Sequence, residues 1–184
     1  MFTYIPKKSK EIYNLKIAHR GYHKYLAENT IEAYLEAIAR GYAIELDIRY
    51  TKDRKIICIH DRYAKRLLGK YKKISSMKYN EIKRLCIKGT CLKVPLFKDV
   101  LKILPHNSCI LVEVKGFGSS SYIENLRTLI EEYKEKFWFY FHVKNLFTYF
   151  KLKKLYHDRV FWILNPFRKR FDFIKTKDYE KYLD

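Results

Sequence analysis

Five short polar islands close or follow apolar runs in the first 115 residues: His19-Arg20-Gly21, Glu28-Asn29-Thr30, Glu45-Leu46-Asp47, His60-Asp61 and Glu113-Val114-Lys115. Among them His19 and His60 supply two imidazoles, Glu45, Asp47 and Glu113 three carboxylates, and Arg20 and Lys115 two cations. Alternate residues of a strand point the same way, so Glu45 and Asp47 share one face, as do Glu113 and Lys115. Three acids facing one site require a compensating cation, and hard oxygen ligands select Mg²⁺ or Ca²⁺ over Zn²⁺. Arg20 and Lys115 bring positive charge to the same rim, which suits a phosphate. An imidazole titrates near neutral pH, so His19 and His60, on different strands, could serve as a general base and a general acid. The set is that of metal-assisted phosphodiester cleavage.

Each island also has a plainer explanation. A Glu-x-Asp pair on a strand is commonly a solvated face, a His at a strand end a satisfied polar group, and His-Asp a capping pair. Cys58, two residues before His60, reads as core filling on the same strand, and His23, His106, His142 and His157 read as structural. The four cysteines, at 58, 86, 91 and 109, form no Cys-x-x-Cys pair and no zinc spacing, and reduced thiols are expected.

The elements that must position these groups alternate along the chain. Leu15 to Ala18 is a short strand ending at His19. Thr30 caps a helix with Ala33, Tyr34, Ala37 and Ile38 at helical spacing, and Gly41 closes it. Tyr42 to Tyr50 and Lys55 to His60 read as strands joined by the polar turn Thr51-Lys52-Asp53-Arg54. A basic segment runs on to Lys93, followed by a helix near Leu96 to Leu104 and a buried strand from Cys109 to Val114. Beyond it, Tyr122 to Lys136 and Leu146 to Tyr156 read as helices, and Phe137 to Val143, Val160 to Leu164 and Phe173 to Thr176 as strands. Strand-helix alternation of this kind makes a parallel sheet covered by helices. The islands fall at the ends of four strands. A β/α barrel gathers such ends on one face, whereas a doubly wound sheet does so only at a switch point, and Gly21 opens no Gly-rich nucleotide loop. The pattern predicts a barrel in a single domain of 184 residues.

The formal charge of +19, from 39 Lys and Arg against 20 Asp and Glu, gives the surface a positive potential toward polyanions, anionic membranes and phosphorylated substrates. The lysines are scattered over several segments, so most of this charge reads as a general bias of composition. Met1 to Lys16 holds no signal-like apolar stretch and no run reaches membrane-spanning length, so a cytoplasmic location is expected.

In order and spacing, the series from His19-Arg20-Gly21 to Glu113-Val114-Lys115 resembles the glycerophosphodiester phosphodiesterase family. The likeness is clear over residues 17–115 and weaker over 137–178. It implies a β/α barrel and divalent-cation-dependent hydrolysis of glycerophosphodiesters to an alcohol and glycerol 3-phosphate. It also implies a role for each matching residue: Glu45, Asp47 and Glu113 as metal ligands, His19 and His60 as the acid-base pair, Arg20 and Lys115 on the phosphate, and Glu28 and Asn29 as braces of the site.

Departures from the family pattern are Ala27 in place of a proline, Arg54 in place of a turn glycine, and Val94-Pro95-Leu96-Phe97 without a threonine after its proline. A full barrel takes about 250 residues, so a reduced or incomplete ring is expected, lacking at least one strand-helix unit. Such a ring implies either distortion or association of copies through its open side, with the aromatic run Phe137 to Phe141 part-exposed. The expected partner is a small anionic phosphodiester, with peripheral contact to an anionic membrane as a minor theme. Nucleic acid is disfavoured because no RNA-binding signature accompanies the basic, aromatic composition. The rival readings are a phospholipase D-type relative acting on lysophospholipid or a glycerol phosphate polymer, and a degenerate member that binds anions without turnover.

Overall fold

The computed structural model describes residues 15–162 of the chain. Its strands are β1 (Ile17–Ala18), β2 (Ala43–Tyr50), β3 (Ile56–Cys58), β4 (Cys109–Val114), β5 (Trp138–Val143) and β6 (Val160–Trp162). Helices α1 (Ile31–Ala39), α2 (Lys65–Leu68), α3 (Tyr79–Ile82), α4 (Phe97–Ile103), α5 (Ser120–Tyr133) and α6 (Leu146–Tyr156) connect them. The expected Phe173 to Thr176 strand lies outside the described residues, as do Ile163 and Leu164 at the end of the one before it.

The sheet order is β1-β2-β4-β5-β6, all parallel, with β3 antiparallel to β2. β2 organises it. Along one edge its start pairs with β1 (Ala43 opposite Ile17) and its end with β3 (Ile48 opposite Cys58). Along the other it pairs with β4, Asp47 facing Glu113. The antiparallel β3 departs from strict strand-helix alternation for a geometric reason. The Thr51–Arg54 turn is far too short for a parallel crossover, and Arg54 takes the left-handed φ of +61° that favours glycine. Among the described residues the strands do not close a ring: the path ends at β1 and β6, and the arrangement is that of a partial β/α barrel.

Side-chain alternation separates two cores. Ile44, Leu46 and Ile48 of β2, Ile110, Val112 and Val114 of β4, and Phe139, Phe141 and Val143 of β5 pack outward against Tyr34, Phe97, Leu101, Leu126 and Leu152 of the helices. The residues between them form the other face. There Ile17, Ala43, Cys109, Leu111, Tyr140 and Phe161 make an apolar plug. Toward the C-terminal strand ends this face turns polar: Asp47, Glu113 and His142 stand side by side across β2, β4 and β5. The aromatic run Phe137 to Phe141, which an open ring would part-expose, is core strand instead, buried at Phe137, Phe139, Tyr140 and Phe141. β4 and β6 flank β5 and helices cover it, so no open edge reaches that strand.

The basic segment after β3 is more structured than its composition suggests. Ile57, Ile59, Leu67, Leu68, Ile74, Met77, Ile82, Ile87 and Val94 form a second small core, built from α2, α3 and the 3₁₀ turn Ile74–Ser76. No helix among the described residues is long and apolar enough to cross a membrane.

Candidate active site

The first island is shaped by backbone conformation. Arg20 and Gly21 both take positive φ, +58° and +77°. This brings the Arg20 N–H to donate to Glu45 Oε2 at 2.9 Å. A Cβ on Gly21 would stand 2.7 Å from the Ala33 carbonyl carbon, so only glycine lets this turn lie on α1. Thr30 starts that helix, its Oγ1 accepting from the Ala33 N–H at 3.3 Å.

Asn29, also at positive φ (+55°), is buried beneath the acids. Its Nδ2 donates to Asp47 Oδ2 at 3.0 Å, while its Oδ1 accepts from the Asp47 N–H at 3.0 Å and from the Tyr34 hydroxyl at 2.9 Å. The Asp47 carboxylate is thereby fixed from below. A non-glycine residue in the left-handed region costs about 1 kcal/mol, a cost this three-bond bracket offsets.

One oxygen from each of Glu45, Asp47 and Glu113 lies within 4.8 Å of the others. Two ligands of one ion stand at most two bond lengths apart, about 4.6–5.2 Å for Ca²⁺, so the spacing fits a single hard cation. A cation already sits against two of the three: Lys115 Nζ lies 2.9 Å from Asp47 Oδ1 and 2.6 Å from Glu113 Oε1. Both oxygens are buried, and the ammonium meets them as a close ion pair. Among the described residues Glu45 has no cationic side chain within ion-pair distance. Burial and the charges of Asp47 and Glu113 push its carboxyl well above the usual range. Burial also acts to raise Asp47, but Lys115, Asn29 and His60 outweigh it and hold that carboxyl below its ordinary value. Arg20 Nε also lies 3.3 Å from Asp47 Oδ2 and Lys144 Nζ 3.9 Å from Glu113 Oε1, so Glu45 is the least compensated acid of the three.

Both imidazoles feel the charge of Asp47. Burial, with Arg20 next in weight, pushes His19 down to about 4, so it is neutral near pH 7. His60 is oriented by Asp61, whose Oδ1 lies 2.9 Å from Nδ1, and its carbonyl accepts from Arg49 Nε at 2.8 Å. Burial would raise Asp61, but the Arg66 and His60 contacts bring it down to about 2.

Two groups of residues here escaped the sequence reading. Arg66 on α2 donates to Asp61 at 2.6 and 3.0 Å and to Glu28 at 2.8 and 2.7 Å; Glu28 in turn accepts from Arg20 at 3.0 Å. One guanidinium thus joins the His60 and Arg20 sides of the site. Nothing in its spacing announces it, since the contact between Arg66 and Glu28 spans 38 residues. His142, taken as structural, stands opposite Glu113 and is buried, and burial with Lys115 and Lys144 pushes it down to about 3. Its signal was legible: Tyr140 and His142 fall in phase on one face of β5, with Lys144 just past its end.

The glycerophosphoryl diester phosphodiesterase family model matches residues 19–157. The lysophospholipase D GDPD1 of Rattus norvegicus is 29% identical over 143 residues, covering 71% of this chain and 45% of the relative. The glycerophosphodiester phosphodiesterase of Bacillus altitudinis is 27% identical over 127 residues, covering 65% and 52%. The chain thus spans about half the length of these curated relatives. Among solved structures, the glycerophosphodiester phosphodiesterase of Thermotoga maritima superposes with a TM-score of 0.69 at 26% identity, covering 83% of this chain and 63% of that one. That of Agrobacterium tumefaciens gives 0.67 at 22%, covering 76% and 62%. Match, fold and the ordered islands together make this chain a member of the glycerophosphoryl diester phosphodiesterase family.

Proposed function

We propose that the protein hydrolyses glycerophosphodiesters to an alcohol and glycerol 3-phosphate, with Mg²⁺ or Ca²⁺ held by Glu45, Asp47 and Glu113. The observation that carries this reading is the gathering of those three oxygens within 4.8 Å, two of them already facing the Lys115 ammonium. When bound, such an ion supplies Lewis-acid polarisation of the phosphoryl group. Arg20 and Lys115 bind the phosphate oxygens and offset their charge. His19, neutral at pH 7, takes the proton of the attacking oxygen. His60, held by Asp61 through Nδ1, gives a proton from its other nitrogen to the departing alkoxide as the P–O bond breaks. Glu28 and Asn29 hold Arg20 and Asp47 in place. The exposed Cys86 and Cys91 are free thiols, which supports a reducing, cytoplasmic setting.

A coupled assay for glycerol 3-phosphate tests the reading. Release is expected to need divalent metal, to stop with chelator, and to fall at least 10³-fold in His19→Ala or Glu45→Ala. Turnover that persists through chelation or through those changes would refute it, and salt-sensitive RNA binding untouched by them would point to a binding protein.

A second reading, phospholipase D-type cleavage of a lysophospholipid, draws on one feature of the rim. Phe117, after β4, stacks on Phe147 of α6 at 5.1 Å; both are exposed, as is Leu146, and Lys151 lies 4.1 Å from the Phe147 ring. An apolar, basic edge beside Glu113 and Lys115 suits an acyl chain or an anionic membrane surface. Product identity from lysophosphatidylcholine separates the two readings.

A further inference from the structure

Beside His60 lies a concavity of about 560 Å³ whose charge is lopsided. Arg49, Arg62, Lys65 and Lys88 line it, and among the described residues none of the four has a carboxylate within ion-pair distance. Asp61 is the one acid of the lining, and Arg66 and His60 already engage it. Unpaired cations are common on this basic chain; what sets these apart is their convergence. Arg49, Arg62 with Lys65, and Lys88 reach one hollow beside His60 from three segments, an arrangement whose mutual repulsion a bound anion would relieve.

The hollow is also built. Lys65 belongs to α2, which ends in Gly69 at a φ of +70°, and the Lys88 N–H donates to the Leu67 carbonyl at 2.8 Å, which ties the 87–89 loop to that helix. Lys65 Nζ lies 5.3 Å from the Tyr71 ring, and that ring stacks on Tyr63 at 5.7 Å. Arg49 reaches the site from the end of β2, bound to the His60 carbonyl. The small core of Leu67, Leu68, Ile74 and Ile87 underlies these pieces.

We infer that this hollow is a subsite for a second anionic group, a phosphate or carboxylate carried by the alcohol that leaves the scissile phosphodiester. The direction rests on the proposed function, in which His60 protonates the leaving oxygen. The substrates selected are then diesters whose leaving alcohol is itself anionic, such as a phosphorylated polyol or the next unit of a glycerol phosphate polymer.

Two diesters that differ in one group test this: glycerophosphoglycerol, and the same compound with a terminal phosphate on the leaving glycerol. A charge-assisted contact contributes about 1.5–3 kcal/mol, so kcat/KM is expected to favour the phosphorylated diester at least tenfold at low salt. The preference should shrink as salt rises and fall toward unity in the triple variant Arg62→Ala/Lys65→Ala/Lys88→Ala. A ratio near one in the unaltered protein, or a preference that survives the triple change, overturns the subsite while leaving the hydrolase reading intact. Circular dichroism confirms that the variant is folded.

Discussion

Replacing Asn29 by alanine tests whether the acid cluster is held by design from below. The change removes three hydrogen bonds: two to Asp47, through its carboxylate and its backbone N–H, and one from the Tyr34 hydroxyl. Stranding the buried Asp47 N–H costs about 1–3 kcal/mol, and losing the bond to its carboxylate about 1 more. Alanine at a φ of +55° adds about 1 kcal/mol. The expected loss is about 3–5 kcal/mol, a large share of the 5–15 kcal/mol that holds an ordinary domain folded. At about 2–4 °C per kcal/mol for a chain of this size, the midpoint should fall by about 6–20 °C. Asn29→Gly recovers only the backbone part, about 1 kcal/mol. Removing a partner that orients a metal ligand typically weakens metal binding by about 10–100-fold. Thermal unfolding by circular dichroism and Ca²⁺ titration calorimetry read the two effects. An alanine variant that melts within about 2 °C of the parent and binds Ca²⁺ equally well would refute the bracket.

The other expectations concern charge. Glu45 lacks a cation of its own and is crowded by Asp47 and Glu113, so Glu45→Gln should melt no lower than the parent in chelator. It should also lose the rise in midpoint that divalent metal gives the parent, about 2.7 kcal/mol at a concentration 100 times the Kd; a variant that keeps the rise would remove Glu45 from the metal set. Arg66→Ala breaks the link between Asp61 and Glu28. Asp61 has a depressed pKa, so its share of stability is present above the unfolded value near 3.9 and disappears as pH falls toward 2. With Arg66 half exposed, solvent screening leaves about 1 kcal/mol. The parent-minus-variant difference in urea unfolding should be flat from pH 5 to 8 and shrink below pH 4; a difference that grows toward acid would invert the argument.

What the sequence revealed and what it hid divide along physical lines. β4 and α6 were read to the residue, because an unbroken apolar strand and a capped helix are local signals. The alternation Glu45-x-Asp47 placed two acids on one face, and the parallel register then set Glu113 beside Asp47, a contact spacing alone implied but did not locate. The hairpin was harder. The two strands and their polar turn were legible, but a general strand-helix alternation says nothing of β3 lying antiparallel beside β2. The segment after His60 defeated periodicity because its helices are only four residues long and its core is assembled from short pieces. Arg66 stayed hidden for the same reason, since its partners are set by how that small core sits against β2.

That small core has a consequence for how new specificity arises. The acids and Asn29 rest on the main sheet, whereas Lys65, Lys88 and the loops around them are anchored by hydrophobic residues that belong to neither face of it apart from Ile57. A stretch that packs on itself tolerates exchange, so transplanting residues 62–93 between relatives is a way to re-tailor recognition of the alcohol without retuning the metal centre.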